Sequence, residues 1–127
     1  MYKVIVTLKR NSKVSSEQFQ EYYEHKHVAA AEKAFGKHFA GYRRNYVTRQ
    51  FLPINGALEE ITDADGIHKG TYDVLSEFWF KDKTSMEMAF EAFATRDRKA
   101  EIEDERYLDM NSIRVLVVHE AISKLPA

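Results

Sequence analysis

Apolar and polar positions alternate over residues 2–10, with Val4, Val6 and Leu8 on one side and Ile5 and Thr7 on the other, the period of a β-strand. After a turn at Asn11-Ser12-Lys13 the period lengthens. Phe19, Tyr23, His27, Ala30 and Ala34 are spaced by four, four, three and four, which predicts a helix from Ser15 to Phe35 with Gly36 as its stop. Ser15 and Gln18 have the spacing of a capping box. Gly41 opens a second strand that extends to about Phe51. Pro53, Asn55-Gly56, Asp65-Gly66 and Gly70 mark 53–70 as a long, turn-rich loop. Residues 71–80 form the third strand. Thr84 and Glu87 then cap a second helix whose buried stripe is Met86, Ala89, Phe90, Phe93 and Ala94. The charged stretch 96–109 reads as further helix on the surface, and 112–121 as the last strand.

The order strand–helix–strand–strand–helix–strand predicts a single α+β domain over residues 1–127. Its expected form is a ferredoxin-like βαββαβ sandwich with both helices on one face of an antiparallel sheet. The third strand is apolar on both sides, Val74, Phe78 and Phe80 opposite Leu75 and Trp79. So is the fourth, Val115 and Val117 opposite Leu116 and Val118. A sheet with one wet face should alternate apolar with polar. Each large side chain left wet forgoes roughly 1.5–3 kcal/mol, so the face without helices predicts a homodimer packed sheet face to sheet face.

Composition narrows the function. Lys plus Arg is 19 and Asp plus Glu is 20, a formal net charge of −1 in 127 residues, without the positive excess that general nucleic-acid binding requires. There is no Cys, which removes disulfides, thiolate nucleophiles and cysteine metal sites. The apolar run at the start is too short for an export signal and no stretch approaches bilayer length, so the expected location is the cytoplasm, without a membrane partner.

His27 is the foremost candidate for chemistry. On the buried stripe of the first helix it would point into the gap between helix and sheet, where Phe19, Tyr23, Phe90 and Phe93 could wall a pocket for a small hydrophobic or aromatic ligand, with Phe78 on the third strand. There an imidazole could act as general acid or base; the plainer alternative is a core histidine satisfied by a carbonyl or carboxylate. His25 and His27, two apart on a helix, point to nearly opposite sides and cannot share a metal. Asp63-Ala64-Asp65-Gly66 fits a calcium loop in neither register, and Gly36 to Gly41 lacks the Lys of a phosphate loop. Asp73 and Glu77 are expected to pair with Arg43, Arg44 or Arg49. Arg43, Arg44 and Arg49 with Tyr42 and Tyr46 could instead hold a carboxylate or phenolate substrate. His68 could close over a pocket from its loop. Asp104, Glu105, Arg106 and Asp109 are expected to tie the second helix to the last strand.

Taken in order, Tyr2–Arg10, Ser16-Glu17-Gln18-Phe19 with Tyr22-Tyr23 and His25-Lys26-His27, Tyr72-Asp73 with Glu77-Phe78-Trp79-Phe80, Asp104-Glu105-Arg106-Tyr107-Leu108-Asp109 and Val118-His119-Glu120 resemble the EthD family, named for ethyl tert-butyl ether degradation. The resemblance covers nearly the whole chain; Ala29 stands where the family usually has Pro. It implies a dimeric α/β barrel. Relatives in that superfamily include muconolactone isomerases, which carry an active-site His on this helix, polyketide cyclases, decarboxylases and haem- or quinol-oxidising monooxygenases. Many work without metal or organic cofactor, and none is expected here. The implied function is isomerisation, cyclisation, decarboxylation or elimination on a small aromatic, lactone or polyketide-like compound, with His27 moving a proton and Tyr23, Tyr46 or Arg43 orienting the substrate. Two rivals are haem or quinol oxidation and a non-catalytic accessory partner of an oxidase. Residues 84–102 contain no His, Tyr or Cys to serve as the axial haem ligand of the second helix.

Overall fold

The computed structural model describes residues 1–61 and 71–126. The aspartates and glycine of 63–66 and His68 lie outside these. Strand β1 (Tyr2–Arg10) runs through the middle of the main sheet, flanked by β5 (Val74–Phe80) and β6 (Leu108–Val118). With β2 (Gly41–Tyr46) the order is β2-β5-β1-β6, all neighbours antiparallel. This is the ferredoxin-like arrangement the element order predicts.

Register assigns the faces. Val4 lies opposite Phe78 and Val117, and Leu8 opposite Val74, so these share a side with Tyr42, Arg44, Tyr46 and Ser76. Helices α1 (Ser16–Tyr22), α2 (Val28–Phe35), α3 (Lys83–Ala94) and α4 (Arg98–Glu105) supply the cover. One core cluster joins Leu8, Val74 and Leu108 to Phe19, Tyr22, Tyr23 and Val28; a second joins Val4 and Phe80 to Met86 and Ala89. Lys3, Ile5, Leu75, Glu77, Trp79, Leu116 and Val118 point the other way. Among the described residues no helix is long and apolar enough to cross a membrane.

The first helix begins as its sequence predicts. Ser15 Oγ accepts from the Gln18 N–H at 3.0 Å, and the Gln18 side chain accepts from the Ser15 N–H at 2.9 Å. Its stripe differs. Between α1 and α2 lies a single π turn, Tyr23–His27, in which the Val28 N–H reaches the Tyr23 carbonyl. A π turn adds one residue to the helical repeat. Beyond it the buried set moves on by one, and Val28 and Ala31 face the core while Ala30 and Ala34 are exposed.

Other boundaries move for local reasons. The second strand stops at Tyr46, and Phe51–Ile54 (β3) pairs with Ala57–Glu60 (β4) in a separate hairpin, where a loop is expected. Asn55 and Gly56 at φ 49° and 81° provide the two left-handed residues of a tight hairpin turn. Asp82, not Thr84, caps α3, its side chain accepting from the Ser85 N–H at 2.8 Å. The last strand begins at Leu108 rather than 112. Phe90 and Phe93 are 38% and 45% exposed, because α3 turns only Met86 and Ala89 fully inward.

Burial sets the mutational scale. Phe19→Ala, at a 2% exposed site, should cost about 3–5 kcal/mol in urea unfolding, and Phe93→Ala less than about half of that. Equal losses would contradict the packing.

Candidate active site

The π turn gathers a polar cluster under the first helix. In an α-helix, residues five apart diverge by well over a quarter turn. Here the widened turn lets Tyr22 and His27 reach one carboxylate, Asp104 of α4. Tyr22 donates its hydroxyl to Oδ1 at 2.7 Å, and His27 Nδ1 lies 3.2 Å from both carboxylate oxygens. Arg96, in the link between α3 and α4, donates from Nη1 to Oδ2 at 2.9 Å. His27 and Arg96 thus sit side by side on the same oxygen. Asp104 is 4% exposed. Burial alone would raise its pKa, but the hydrogen bonds and charge of His27, helped by Tyr22 and Arg96, hold it below the ordinary carboxylate value. Burial, then the bond to Asp104, pushes the Tyr22 hydroxyl far up, so it stays a donor.

The imidazole is positioned from a second direction. The Tyr23 ring stacks on it with centroids 4.6 Å apart and planes 19° off parallel. Tyr23 is fixed in turn by its hydroxyl, 3.1 Å from Ser76 Oγ on β5; burial pushes that hydroxyl up to about 12. With Nδ1 facing a carboxylate, the ring keeps a proton there, and Nε2 is the nitrogen free to take up or release one. Among the described residues Nε2 makes no hydrogen bond, and the side chain remains 18% exposed. This is the arrangement of a base oriented by a third group.

A second polar cluster lies on the far side of Tyr23. Glu24 accepts from Arg44 and from the Tyr46 hydroxyl, and the Arg44 bond chiefly holds its carboxyl below the usual range. The Tyr46 ring meets Tyr23 edge to face at 6.1 Å. The Tyr42 hydroxyl is buried without a hydrogen-bond partner among the described residues.

The residues singled out by sequence do not all meet in one place. His27, Tyr23 and Tyr46 form a connected group, with Phe19 tilted against Tyr23 at 5.4 Å as solid core. Phe78 stacks on Tyr42 at 4.3 Å within the helix-covered face. Arg43 lies on the opposite face, over Trp79 at 5.3 Å, so Arg44 is the arginine that reaches the helices. Phe19 and Tyr23 fill the expected gap. Among the described residues a groove of about 320 Å³ opens at the rim, lined by Phe93, Ala94, Arg96, Glu101, Met110 and Ile113. Phe90 and His27 are not among its lining residues. The expected acid pairs also change partners. Glu77 takes Lys3 at 3.0 Å, Asp73 accepts from the Arg10 N–H at 2.7 Å, and Arg49 binds Glu60. Asp104, expected to tie the second helix to the last strand, is instead the buried partner of His27 and Tyr22 on the first helix.

Fold and site together define a ferredoxin-like α+β protein in which a partly exposed His on the first helix meets a buried carboxylate. The EthD domain model matches residues 11–109, and the chain belongs to the EthD family. No curated protein shows significant sequence similarity to it. The At3g17210 protein of Arabidopsis thaliana is similar in structure, with a TM-score of 0.57 at 14% identity over 98% of this chain and 100% of that one. An EthD family protein of Bacillus halodurans, BH0200, gives 0.56 at 12% identity over 95% and 100%. HapK of Hahella chejuensis gives 0.56 at 10% identity over 100% and 99%.

Asp104→Asn should cost about 3–5 kcal/mol, because it leaves Arg96 beside a neutral amide. The depressed carboxyl also sets a pH dependence. Its stabilisation is complete above the unfolded-state value of about 4 and is lost as pH falls through the lower folded-state value. Thermal unfolding of the native protein should therefore fall off in acid, and that share of the slope should be missing in Asp104→Asn.

Proposed function

We propose that the protein is an enzyme of small-molecule metabolism that moves a proton on a carbonyl compound, with His27 as general base and acid and Asp104 as its orienting carboxylate. The observation that carries this reading is the His27–Asp104 contact at 3.2 Å, with Nε2 left uncommitted among the described residues. His27 would take a proton from the carbon next to a carbonyl, the C–H electron pair passing to the carbonyl oxygen as an enolate. Returning the proton elsewhere gives isomerisation; attack by the enolate gives cyclisation. Membership of the EthD family supports a role in small-molecule pathways of aromatic, lactone or polyketide-like compounds.

Hydrogen–deuterium exchange next to the carbonyl, followed by NMR in D2O across a panel of aryl ketones, β-keto acids and lactones, tests the reading over the whole substrate class. The native protein should accelerate exchange in at least one. His27→Gln should keep the fold and lower that rate about a hundredfold. An unchanged rate with a lowered melting temperature would assign His27 a structural role only. A ligand-binding accessory protein is the second reading, favoured by the groove's lying on the Arg96 side of the carboxylate rather than against His27.

The same proposal takes the active form to be a homodimer through the helix-free sheet face. Ile5, Leu75, Trp79 and Leu116 lie on that face, Leu116 being 46% exposed. Trp79→Glu should convert the protein to a folded monomer by light scattering and circular dichroism; a dimer that survives the substitution would exclude this face.

A further inference from the structure

The rim groove has a chemical character of its own. Phe93 forms one wall, and Met110 and Ile113 of β6 contribute apolar surface. The Arg96 guanidinium lies 4.3 Å from the Phe93 ring centroid and is held by Asp104 through Nη1. Ring and carboxylate together fix its plane. Among the described residues its other side-chain N–H groups make no hydrogen bond, although the side chain is only 15% exposed. Glu101, also on the lining, has no ion pair among the described residues. The lining therefore includes a fixed donor, an acceptor without an ion pair and apolar side chains.

Charge then decides what fits. With His27 neutral, as a general base must be, Asp104 balances the positive charge of Arg96, and Glu101 adds a negative charge without an ion pair among the described residues. A carboxylate ligand would find Arg96 neutralised and Glu101 repelling it. An ammonium would suit Glu101 but set a like charge against the immobile guanidinium. A neutral planar molecule with a carbonyl and a hydroxyl meets neither penalty. Its carbonyl accepts from Arg96, its hydroxyl donates to Glu101, and its ring lies along Phe93, Met110 and Ile113.

We infer that this groove binds a neutral hydroxyaryl or enolic carbonyl compound, with Arg96 as the donor to the carbonyl oxygen and Glu101 as the acceptor from the hydroxyl. That such a ligand is the substrate rests on the proton-transfer reading above; its binding does not. In that role Arg96 would hold the oxygen on which enolate charge develops, beside the carboxylate it shares with His27.

The probes are 4-hydroxyacetophenone, acetophenone and 4-hydroxybenzoate, titrated at neutral pH into the full chain under amide and methyl NMR. 4-Hydroxyacetophenone should shift Phe93, Ala94, Met110 and Ile113 saturably. Acetophenone, lacking the donor, and 4-hydroxybenzoate, carrying the charge, should each bind about tenfold more weakly, the effect of one lost hydrogen bond or one unfavourable charge contact. Glu101→Gln should narrow the gap between hydroxyketone and carboxylate to about threefold or less, since it removes the repulsion and keeps an acceptor. No saturable shift, shifts centred away from the groove, or a carboxylate bound as tightly as the hydroxyketone would overturn the inference. His27→Gln separates the two readings. If it binds the hydroxyketone as the native protein does, the groove stands whatever becomes of exchange, and unaltered exchange in that variant defeats the proton-transfer reading alone.

Discussion

A buried carboxylate is the constraint around which this chain is arranged. Removing Asp104 from water costs several kcal/mol unless its oxygens are given donors in return. Three donors come from separate parts of the chain, Tyr22 in α1, His27 in the π turn and Arg96 in the link before α4. Each is itself held by an aromatic ring: Tyr22 stacks on Tyr107 at 4.0 Å, His27 on Tyr23, and Arg96 on Phe93. Helix α4 is thereby anchored on the first helix by charge and hydrogen bonds, with few apolar contacts of its own. A carboxylate given this many donors holds each of them in place.

The π turn makes that cluster possible. With a regular α-helix from Ser16 to Phe35, Tyr22 and His27 would lie on different sides, and one of them would leave Asp104. The single inserted residue brings both to the carboxylate and keeps Tyr23 beneath the imidazole. Its cost is one poorly formed helical turn in the middle of an otherwise well-capped segment. Such turns collect at functional sites because they re-aim side chains without breaking the helix.

The two faces of the sheet have different chemistry. Under the helices lie the tyrosines, Ser76 and the Glu24–Arg44 pair, a polar layer inside an apolar rim. On the other face Trp79 lies between Lys3 at 4.9 Å and Arg43 at 5.3 Å, and Lys3 pairs with Glu77 and Glu120. Gly41 fits this face closely, since a Cβ there would come within 3.1 Å of the Trp79 ring. The β3–β4 hairpin stands apart, with Phe51, Leu52, Ile54 and Leu58 all at least 40% exposed. Two strands alone are marginal in water, and the Arg49–Glu60 pair closes its base.

Local pattern was enough for much of this protein. The alternation at 2–10, the Ser15–Gln18 capping box, the apolar third strand and the order of elements determined a ferredoxin-like sandwich. They also placed His27 on the inward side of its helix, because strand parity and helix capping depend on near neighbours. The hairpin at 51–60 was legible only as far as its Asn-Gly turn, since Pro53 and two glutamates obscure the strand signal. The burial of Asp104 and its bonds to the first helix were not legible. The residue stands in a charged run that reads as surface, and its burial depends on groups 77, 82 and 8 positions away in the chain. The π turn, the exposure of Phe90 and Phe93, the parting of Arg43 from Arg44 and the groove at the rim were decided by tertiary structure. In each case the outcome turned on which distant side chain filled the space or met the charge, and a carboxylate is buried only where donors from elsewhere in the chain converge on it.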